Sequence, residues 1–160
     1  MIREVRPDDA AQIAGIYNRY ILETTISFET QPLSAEDMRK RIEEISSYFP
    51  YLVAENNGKL IGYCYAHPWK ERAAYCKTLE TTIYLASEAK GKGLGTRLMD
   101  RLIDECRNRG YHVLIACITA ENEESCQFHE RLGFKKVSHF EQAGQKFGRW
   151  LDVADYELIL

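Results

Sequence analysis

The chain contains 160 residues, 45% of them hydrophobic, and carries a formal net charge of −3 at pH 7. A chain of this length and composition predicts one domain, residues 1–160, built around one core. Because both signs of charge are interspersed, no basic field favours nucleic acid or a membrane surface as a partner. No apolar run approaches the roughly 18 residues of a membrane span, and the first residues lack a signal peptide's apolar stretch, so we expect a cytoplasmic protein.

The cysteines are five in number and scattered, and no two of them form a Cys-x-x-Cys pair. This spacing argues against a zinc site and against a disulfide framework. We therefore expect no bound metal, and reduced cysteines that fill buried positions. They are Cys64, Cys76, Cys106, Cys117 and Cys126.

The first third of the chain predicts a strand followed by two helices. Ile2–Val5 is the strand, and Asp8 is the candidate N-cap of the first helix. Apolar residues then recur at helical spacing over 13–21. The β-prone segment Thr24–Pro32 separates this helix from a second one, which the capping sequence Ser34-x-x-Asp37 introduces.

The middle of the chain predicts a hairpin and a further strand. Tyr51–Glu55 and Lys59–Ala66 flank Asn56-Asn57-Gly58, and both Asn and Gly tolerate the positive φ of a tight hairpin turn. A polar, aromatic loop, His67–Tyr75, leads into the β-branched strand Thr78–Leu85.

A glycine-rich turn and an amphipathic helix follow that strand. Gly91, Gly93 and Gly95 alternate in the sequence KGKGLGT, and apolar residues recur at every fourth position from Leu94 to Cys106. Glycine lets the backbone approach a ligand closely, and a helix N-terminus favours an anion. The segment predicts a phosphate-binding turn whose spacing fits neither a Walker A loop nor a dinucleotide fingerprint; a plain connection without ligand is the alternative.

The last part of the chain alternates between strands and helices. Gly110 is the expected cap of the long helix, and the strand Val113–Ile118 and the helix Glu123–Leu132 follow. Phe134–Phe140 and Trp150–Leu160 read as closing antiparallel strands around the turn AGQKFG. The order β, αα, βββ, α, β, α, ββ predicts an α/β (α+β) fold, with a mixed sheet of about seven strands and about four helices.

Five separated segments, together with the glycine turn, resemble a known family. They are TISFETQPL, YAHPWKERAAY, TLETTIYL, AENEESCQFHERLGF and AGQKFGRWLDV. They are similar to the GCN5-related N-acetyltransferases (GNAT), and within them to the phosphinothricin and methionine sulfoximine acetyltransferases. The family's turn is usually written Q/R-x-x-G-x-G/A, and Lys90 takes the Gln/Arg place. The resemblance implies the GNAT fold, acetyl-CoA as co-substrate and a homodimer.

The resemblance also implies a reaction, the direct transfer of an acetyl group to the α-amine of a small amino-acid analogue. Glu80 would be the general base that takes the proton of the amine, and His129 a candidate general acid for the departing thiolate. A solvated glutamate and a structural histidine are the alternatives. We expect no cysteine-bound intermediate, because Cys76 has no His or Asp partner at a readable spacing.

Site residues follow from the same resemblance. The strand end would pair with the pantetheine arm and the turn would hold the pyrophosphate, through Ile83, Tyr84, Leu85, Lys90, Gly91, Lys92, Gly93, Leu94, Gly95, Thr96, Asn122 and Ser125. Asn122 is also an attractive helix N-cap. The acceptor site would be formed by Phe28, Glu29, Lys70, Arg72, Tyr75 and Thr81. Of these, Lys70 and Arg72 are the candidates for binding acid groups; Lys146 and Trp150 are candidates for a neighbouring subunit's site.

Two other functions fit the same sequence. One is acetylation of a protein N-terminus or a lysine, which would favour an open groove over a compact pocket. The other is a non-enzymatic acetyl-CoA-binding regulatory module, because a fold does not imply a function. The presence of Glu80 favours an enzyme. The identity of the acceptor stays open at this stage.

Overall fold

All 160 residues are described by the computed structural model, which has seven strands and four α-helices. The strands are β1 (Ile2–Glu4), β2 (Tyr51–Asn56), β3 (Lys59–Pro68), β4 (Thr78–Leu85), β5 (Val113–Thr119), β6 (Lys135–Lys146) and β7 (Arg149–Ile159). The helices are α1 (Ala10–Glu23), α2 (Ala35–Ser46), α3 (Leu94–Asn108) and α4 (Glu123–Arg131). The predicted order of elements is confirmed.

One mixed sheet contains all the strands, in the order β1-β2-β3-β4-β5-β7-β6. Helices α1 and α2 cover one face, and α3 and α4 cover the other, so that two apolar clusters form. Strand β2 shows how the sequence sorts between them, because successive side chains of a strand point to opposite faces. Leu52 packs in the cluster of α3, and Val53 packs in the cluster of α1 and α2.

Strands β4 and β5 are parallel and pair only over a short stretch. The paired residues are Thr78 with Val113, Leu79 with Leu114 and Glu80 with Ile115. Beyond Glu80, β4 continues beside β3 and β5 continues beside β7, so the two strands diverge. The facing edge of β4 therefore has no strand partner over residues 81–85, and Glu80 lies where the opening begins.

Several local signals in the sequence are confirmed. Asn57 and Gly58 have φ of 50° and 78° at the β2–β3 turn. The Ser34 side chain accepts a hydrogen bond from the Asp37 amide at 3.0 Å, and Asn122 accepts one from the Ser125 amide at 3.3 Å. Each of these residues supplies the backbone conformation or the acceptor that its position requires.

The turn predicted at AGQKFG is shorter than expected, and the β-prone segment Thr24–Pro32 separates the first two helices without forming a strand. Strand β6 continues to Lys146, because bulges between Lys136 and Ser138 and between Phe140 and Gly144 let it follow β7. The chain then reverses at Phe147 and Gly148, which have φ of 52° and 71°. The segment 24–32 has no strand partner and forms an irregular connection between α1 and α2.

The expectation that all five cysteines fill buried positions is correct for only two of them. Cys64 and Cys106 are buried, whereas Cys76 and Cys117 are exposed and Cys126 is intermediate; all five are free thiols. The exposure of Cys117 follows from its position, because it lies on β5 at the opening between the strands.

The predicted N-cap of the first helix, Asp8, is also wrong. The chain enters α1 through a short 3-10 turn, Pro7–Asp9, and the side chain of Asp8 is 92% exposed. Asp9 instead accepts two hydrogen bonds at 2.9 Å from the Arg3 guanidinium and one at 2.8 Å from the Arg6 amide. Burial raises the pKa of Asp9, but the bonds from Arg3 and Arg6 outweigh it and lower that pKa below its ordinary value.

We expect Asp9→Asn to lower the free energy of unfolding at pH 7 by about 1–3 kcal/mol, because it removes a charge-assisted, partly buried pair. The matched control, Asp8→Asn, should change it by less than about 0.5 kcal/mol. Because the folded-state pKa of Asp9 is lowered, its contribution exists above the unfolded pKa and disappears as the pH falls through the folded one. Urea unfolding at pH 7 and pH 3 measures the free energy of unfolding of each variant and its pH dependence. Equal losses of that free energy for Asp9→Asn and Asp8→Asn would contradict the stabilising role of Asp9.

Candidate active site

Two adjoining cavities lie along the opening between β4 and β5. The larger, which we call the base cavity, has a volume of about 490 Å³ and extends from the connection after α1 to Glu80. The smaller, the turn cavity, has a volume of about 350 Å³ and extends from the end of β4 to the glycine turn and α3. They form one continuous cleft, because both are lined by Ile26, Ile83, Tyr84, Asn122 and Ser125.

Glu80 lines the base cavity, and each of its two carboxylate oxygens contacts a neighbouring side chain. His67 Nε2 lies 3.0 Å from Oε2, and Cys117 Sγ lies 3.1 Å from Oε1. The β3–β4 register makes His67 the cross-strand partner of Glu80, and such partners lie side by side on one face. Each carboxylate oxygen can accept a second hydrogen bond, so Glu80 keeps acceptor capacity toward the cavity.

The pKa of Glu80 reflects a competition. Burial raises it, but the hydrogen bonds from His67 and Cys117, together with the charge of His67, outweigh burial and lower it below the ordinary value for a glutamate. Glu80 is therefore a carboxylate at neutral pH. It is in the protonation state that can accept a proton.

Cys117 is not suited to be a nucleophile. Although the residue is exposed at the surface of the cleft, partial burial of its thiol and the hydrogen bond to Glu80 raise the pKa of that thiol well above the ordinary value. The thiolate is the reactive form of cysteine, so this environment keeps Cys117 unreactive. Cys76, which the sequence places near Glu80, is exposed and lines neither cavity.

His129 projects from α4 into the base cavity and is only 4% exposed. Its Nδ1 lies 2.8 Å from the Ser125 carbonyl oxygen. A carbonyl can only accept, so Nδ1 carries a proton. Burial lowers the pKa of His129, so the ring is neutral at neutral pH and Nε2 is left as an acceptor. This geometry is less favourable for a general acid than for a hydrogen-bond acceptor, and the catalytic role of His129 stays a prediction.

The turn after β4 has the conformation of an anion site. Gly91 and Gly93 have φ of 72° and 75°, which favours glycine, and Gly93 precedes the first residue of α3. The first intrahelical bond is donated by the Arg97 amide, at 3.2 Å from the Gly93 oxygen. The amides of residues 94–96 therefore have no intrahelical acceptor, as at any helix N-terminus, and can bind an anion.

Most of the predicted cofactor residues line the turn cavity. They are Ile83, Tyr84, Leu85, Lys90, Gly91, Gly93, Leu94, Gly95, Thr96, Asn122 and Ser125. Lys92 is exposed and is not among the lining residues. Arg131, which the sequence did not single out, lines the cavity from α4 and adds a second cation beside Lys90.

The predicted acceptor residues divide into two groups. Phe28, Glu29 and Thr81 line the base cavity, and Thr81 Oγ1 is buried without a hydrogen-bond partner. Glu29 is held by the Arg41 guanidinium at 2.5 and 2.9 Å and by the Tyr17 hydroxyl. The bonds from Arg41 lower the pKa of Glu29 despite its burial, so it is a carboxylate.

The second group lies outside the cavity. Lys70 and Arg72 are exposed on the loop after β3, and the Lys70 ammonium lies 4.4 Å from the centre of the Trp69 ring. Tyr75 packs edge-on against the same ring. A role of these residues in acid recognition stays a prediction.

Lys146 differs from the sequence-based picture, whereas the role of Trp150 in a neighbouring subunit's site stays a prediction. Lys146 is 5% exposed and donates to the Ser27 carbonyl oxygen of its own chain at 2.7 Å. It therefore stabilises this chain's own cavity. Trp150 is 61% exposed.

Sequence reasoning missed His67 and Cys117, the two partners of Glu80. The sequence assigns His67 to the loop after the predicted strand, and only the register of β3 and β4 in the structure brings it opposite Glu80. Cys117 had no signal in the sequence, because its contact depends on how far β5 diverges from β4. No group of three or more His, Cys, Asp or Glu side chains is arranged to hold a metal ion. No helix is long and apolar enough to cross a membrane.

Comparison with known proteins gives consistent matches over the whole chain. The family model "Acetyltransferase (GNAT) domain" matches residues 2–154. The L-amino acid N-acyltransferase MnaT of Escherichia coli is 38% identical over 99% of this chain and 93% of its own. The L-methionine sulfoximine/L-methionine sulfone acetyltransferase of Salmonella typhimurium is 36% identical over 99% and 94%.

A solved structure adds the co-substrate. The phosphinothricin acetyltransferase of Sinorhizobium meliloti, in complex with AcCoA, superposes with a TM-score of 0.96 at 34% identity, over 100% of this chain and 88% of that one. The cleft described above fits such a ligand, because it combines an unpaired strand edge, left-handed glycines and free helical amides. Acetyl-CoA as co-substrate is thereby confirmed.

We expect Gly93→Ala to weaken acetyl-CoA binding by roughly 5- to 30-fold. An alanine at the φ of 75° found here costs about 1–2 kcal/mol, and the turn would relieve that strain by moving its amides. No atom lies within 4 Å of the added Cβ, so the effect is conformational rather than steric. Gly15→Ala, also in open space but inside α1, is the control and should leave the Kd unchanged. Isothermal titration calorimetry measures both; equal Kd values would remove the turn from binding.

Proposed function

We propose that this chain, which belongs to the acetyltransferase (GNAT) family, transfers the acetyl group of acetyl-CoA directly to the α-amine of a small amino-acid analogue. Acceptors of the phosphinothricin, methionine sulfoximine or methionine sulfone type are the class that its relatives' names favour. The observation that carries the proposal is the position of Glu80, a carboxylate in the wall of the base cavity, which fits a small acceptor and adjoins the turn cavity, which fits acetyl-CoA.

Acetyl-CoA supplies the activated acetyl group when bound. The free edge of β4 over residues 83–85 would pair with its pantetheine arm as an added strand would. The amides of the turn and of the first turn of α3, with Lys90 and Arg131, would hold its pyrophosphate. Asn122 and Ser125 line both cavities and would contact the co-substrate where they meet.

Glu80 acts as the general base in this mechanism. The amine must have a lone pair to attack the thioester carbonyl, and it loses a proton as the C–N bond forms. Glu80 accepts that proton, while the thiolate leaves with the electrons of the C–S bond. Cys117 takes no covalent part, because its thiol is not ionised.

The roof of the base cavity favours a small acceptor over a protein segment. The connection 24–32 is fixed at both sides by hydrogen bonds, from Thr119 Oγ1 to the Thr25 oxygen and from Lys146 to the Ser27 oxygen, each 2.7 Å long. The Phe28 ring lies against Gly144, where an added Cβ would be 2.4 Å from it. A peptide would need this roof to open.

We expect wild-type protein to release free thiol from acetyl-CoA with methionine sulfoximine, methionine sulfone or phosphinothricin. The rate with methionine or a short peptide should be lower. Glu80→Gln should lower kcat by roughly 100-fold or more, because the amide cannot accept the proton. A matched control is Glu43→Gln, whose side chain is 52% exposed on α2.

The outcomes separate the alternatives. Full activity of Glu80→Gln would remove Glu80 from the chemistry and leave the enzyme class intact. Preference for the peptide would favour a protein acetyltransferase. Binding of acetyl-CoA without turnover of any amine would favour a regulatory module.

We also infer that the chain forms a homodimer through the β6–β7 hairpin. Its proposed role is the detoxification of amino-acid analogues in the cytoplasm. Five of the nine exposed large apolar side chains lie on this hairpin, namely Val137, Phe140, Phe147, Trp150 and Ile159. Strand β6 is also the edge of the sheet. An exposed apolar edge of this length is a surface that a second copy can cover. The five free thiols suit a reducing compartment.

We expect size-exclusion chromatography with light scattering to give a molar mass of about twice the chain mass of 18.5 kDa. Phe140→Glu should shift it toward the monomer, because it buries a charge in the interface. Tyr48→Glu, at a residue 74% exposed on the other side of the fold, is the control. A monomeric wild type would contradict the dimer.

A further inference from the structure

We propose that Glu29 selects the side chain of the acceptor, and that the preferred acceptor carries a neutral head group with a hydrogen-bond donor, as a sulfoximine does. This inference rests on the proposed function, because it concerns the acceptor of the same reaction. Glu29 belongs to the roof of the base cavity and Glu80 to its wall, and both line the cavity. Glu29 would contact the substrate without taking part in the proton transfer, so it determines specificity.

The base cavity presents two carboxylates and no lysine or arginine. Its acidic lining residues are Glu29 and Glu80. Lys70 and Arg72 are exposed on the loop after β3 and do not line the cavity. An anionic head group that entered the cavity would lose its water without gaining a free positive partner, which is unfavourable.

The two histidines of the lining do not supply such a partner. The nitrogens of His67 are both occupied, because each lies 3.0 Å from an oxygen, Nε2 from Glu80 Oε2 and Nδ1 from the Pro68 carbonyl. His129 uses its Nδ1 proton for the Ser125 oxygen at 2.8 Å. Neither ring therefore has a free N–H for an anion.

Two cations lie near Glu29, but neither lines the cavity. Arg41 donates to both carboxylate oxygens of Glu29, at 2.5 and 2.9 Å. Lys146 is 5% exposed and donates to the Ser27 oxygen at 2.7 Å. The bonds from Arg41 lower the pKa of Glu29, so the group that a ligand meets at the roof is a carboxylate.

Glu29 keeps acceptor capacity for a ligand. Its Oε2 accepts from Arg41 Nη1 and from the Tyr17 hydroxyl, whereas Oε1 accepts only from Arg41 Nη2. A carboxylate oxygen can accept two hydrogen bonds, so Oε1 can accept one more. The side chain of Glu29 is 33% exposed, which makes this oxygen accessible. A ligand group that satisfies it must be a donor.

The two carboxylates also orient the acceptor. Burial raises the pKa of Tyr65, and the charges of Glu29 and Glu80 each raise it further, so both carboxylates act on one part of the cavity. With the amine at Glu80, the α-carboxylate of an amino acid would be repelled by both residues and would face the open side of the cavity. The side chain would then extend toward the roof and reach Glu29.

Three acceptors of nearly equal shape separate these effects. Methionine sulfoximine, methionine sulfone and phosphinothricin each carry a tetrahedral head group with one methyl group on the same two-carbon chain. The sulfoximine has an N–H that can donate. The sulfone can only accept, and the phosphinate is an anion at neutral pH. Only the sulfoximine satisfies Oε1 of Glu29.

The test is kcat/KM for these three acceptors at saturating acetyl-CoA. We expect the sulfoximine to exceed the sulfone by roughly 10-fold or more, because the sulfone leaves a carboxylate without its donor, and phosphinothricin to be the poorest acceptor. Glu29→Gln replaces the carboxylate by a neutral amide that can also donate. It should lower the ratio of sulfoximine to sulfone, and that of sulfone to phosphinothricin, by roughly 5-fold or more each.

A second variant separates the charge of Glu29 from the order of the roof. Arg41→Gln breaks the same ion pair but leaves the carboxylate, so the sulfoximine should stay preferred and phosphinothricin should become poorer still. Equal flattening of the ratios by both variants would overturn the proposal in favour of a disordered roof. Glu36→Gln, at a side chain 79% exposed on α2, is the control and should leave the ratios unchanged.

The remaining outcomes separate this inference from the proposed function. Thiol release with phosphinothricin as the best acceptor, or with equal kcat/KM for all three, would overturn the inference alone. Ratios that Glu29→Gln leaves unchanged would do the same. Absence of thiol release with any of the three acceptors would refute the proposed function instead.

Discussion

The cleft depends on the limited pairing of two parallel strands. β4 and β5 share only three residue pairs, after which each remains bonded to its other neighbour. A full ladder would use the backbone groups of β4 internally and would close both cavities. Divergence instead leaves those groups free for a ligand, and it opens a space at Glu80 without exposing the core, because α3 and α4 continue to cover the face behind it.

Elements with a strong local period could be predicted from the sequence, and those that depend on distant contacts could not. The Asn-Gly hairpin and the apolar stripe of α3 are properties of short segments, so their predictions hold. The connection 24–32 reads as β-prone by composition, yet it pairs with no strand. Its shape is fixed by the side chains of Tyr17, Arg41 and Lys146, which come from three different elements. No local pattern contains that information.

The same distinction explains which site residues were found. The family resemblance identifies the glycines of the turn and Glu80 by their positions in the sequence, because each would act through its own backbone or side chain. His67 acquires its meaning only from the cross-strand register, and Cys117 only from the angle between β4 and β5. For Lys70 and Arg72 the sequence identifies a basic loop, but it does not show that their side chains are exposed and do not line the base cavity.

The contact between Glu80 and Cys117 has two consequences that arise from one hydrogen bond. Seen from the carboxylate, the thiol donates a proton and lowers the pKa of Glu80. Seen from the thiol, burial and the same bond raise the pKa of Cys117. A thiolate next to a thioester would attack it, and the acetyl group would then be held on the protein. The carboxylate holds the thiol proton in place. In the mechanism that we propose, the group that accepts the proton of the amine would therefore also keep Cys117 from competing as a nucleophile, and both effects would favour direct transfer.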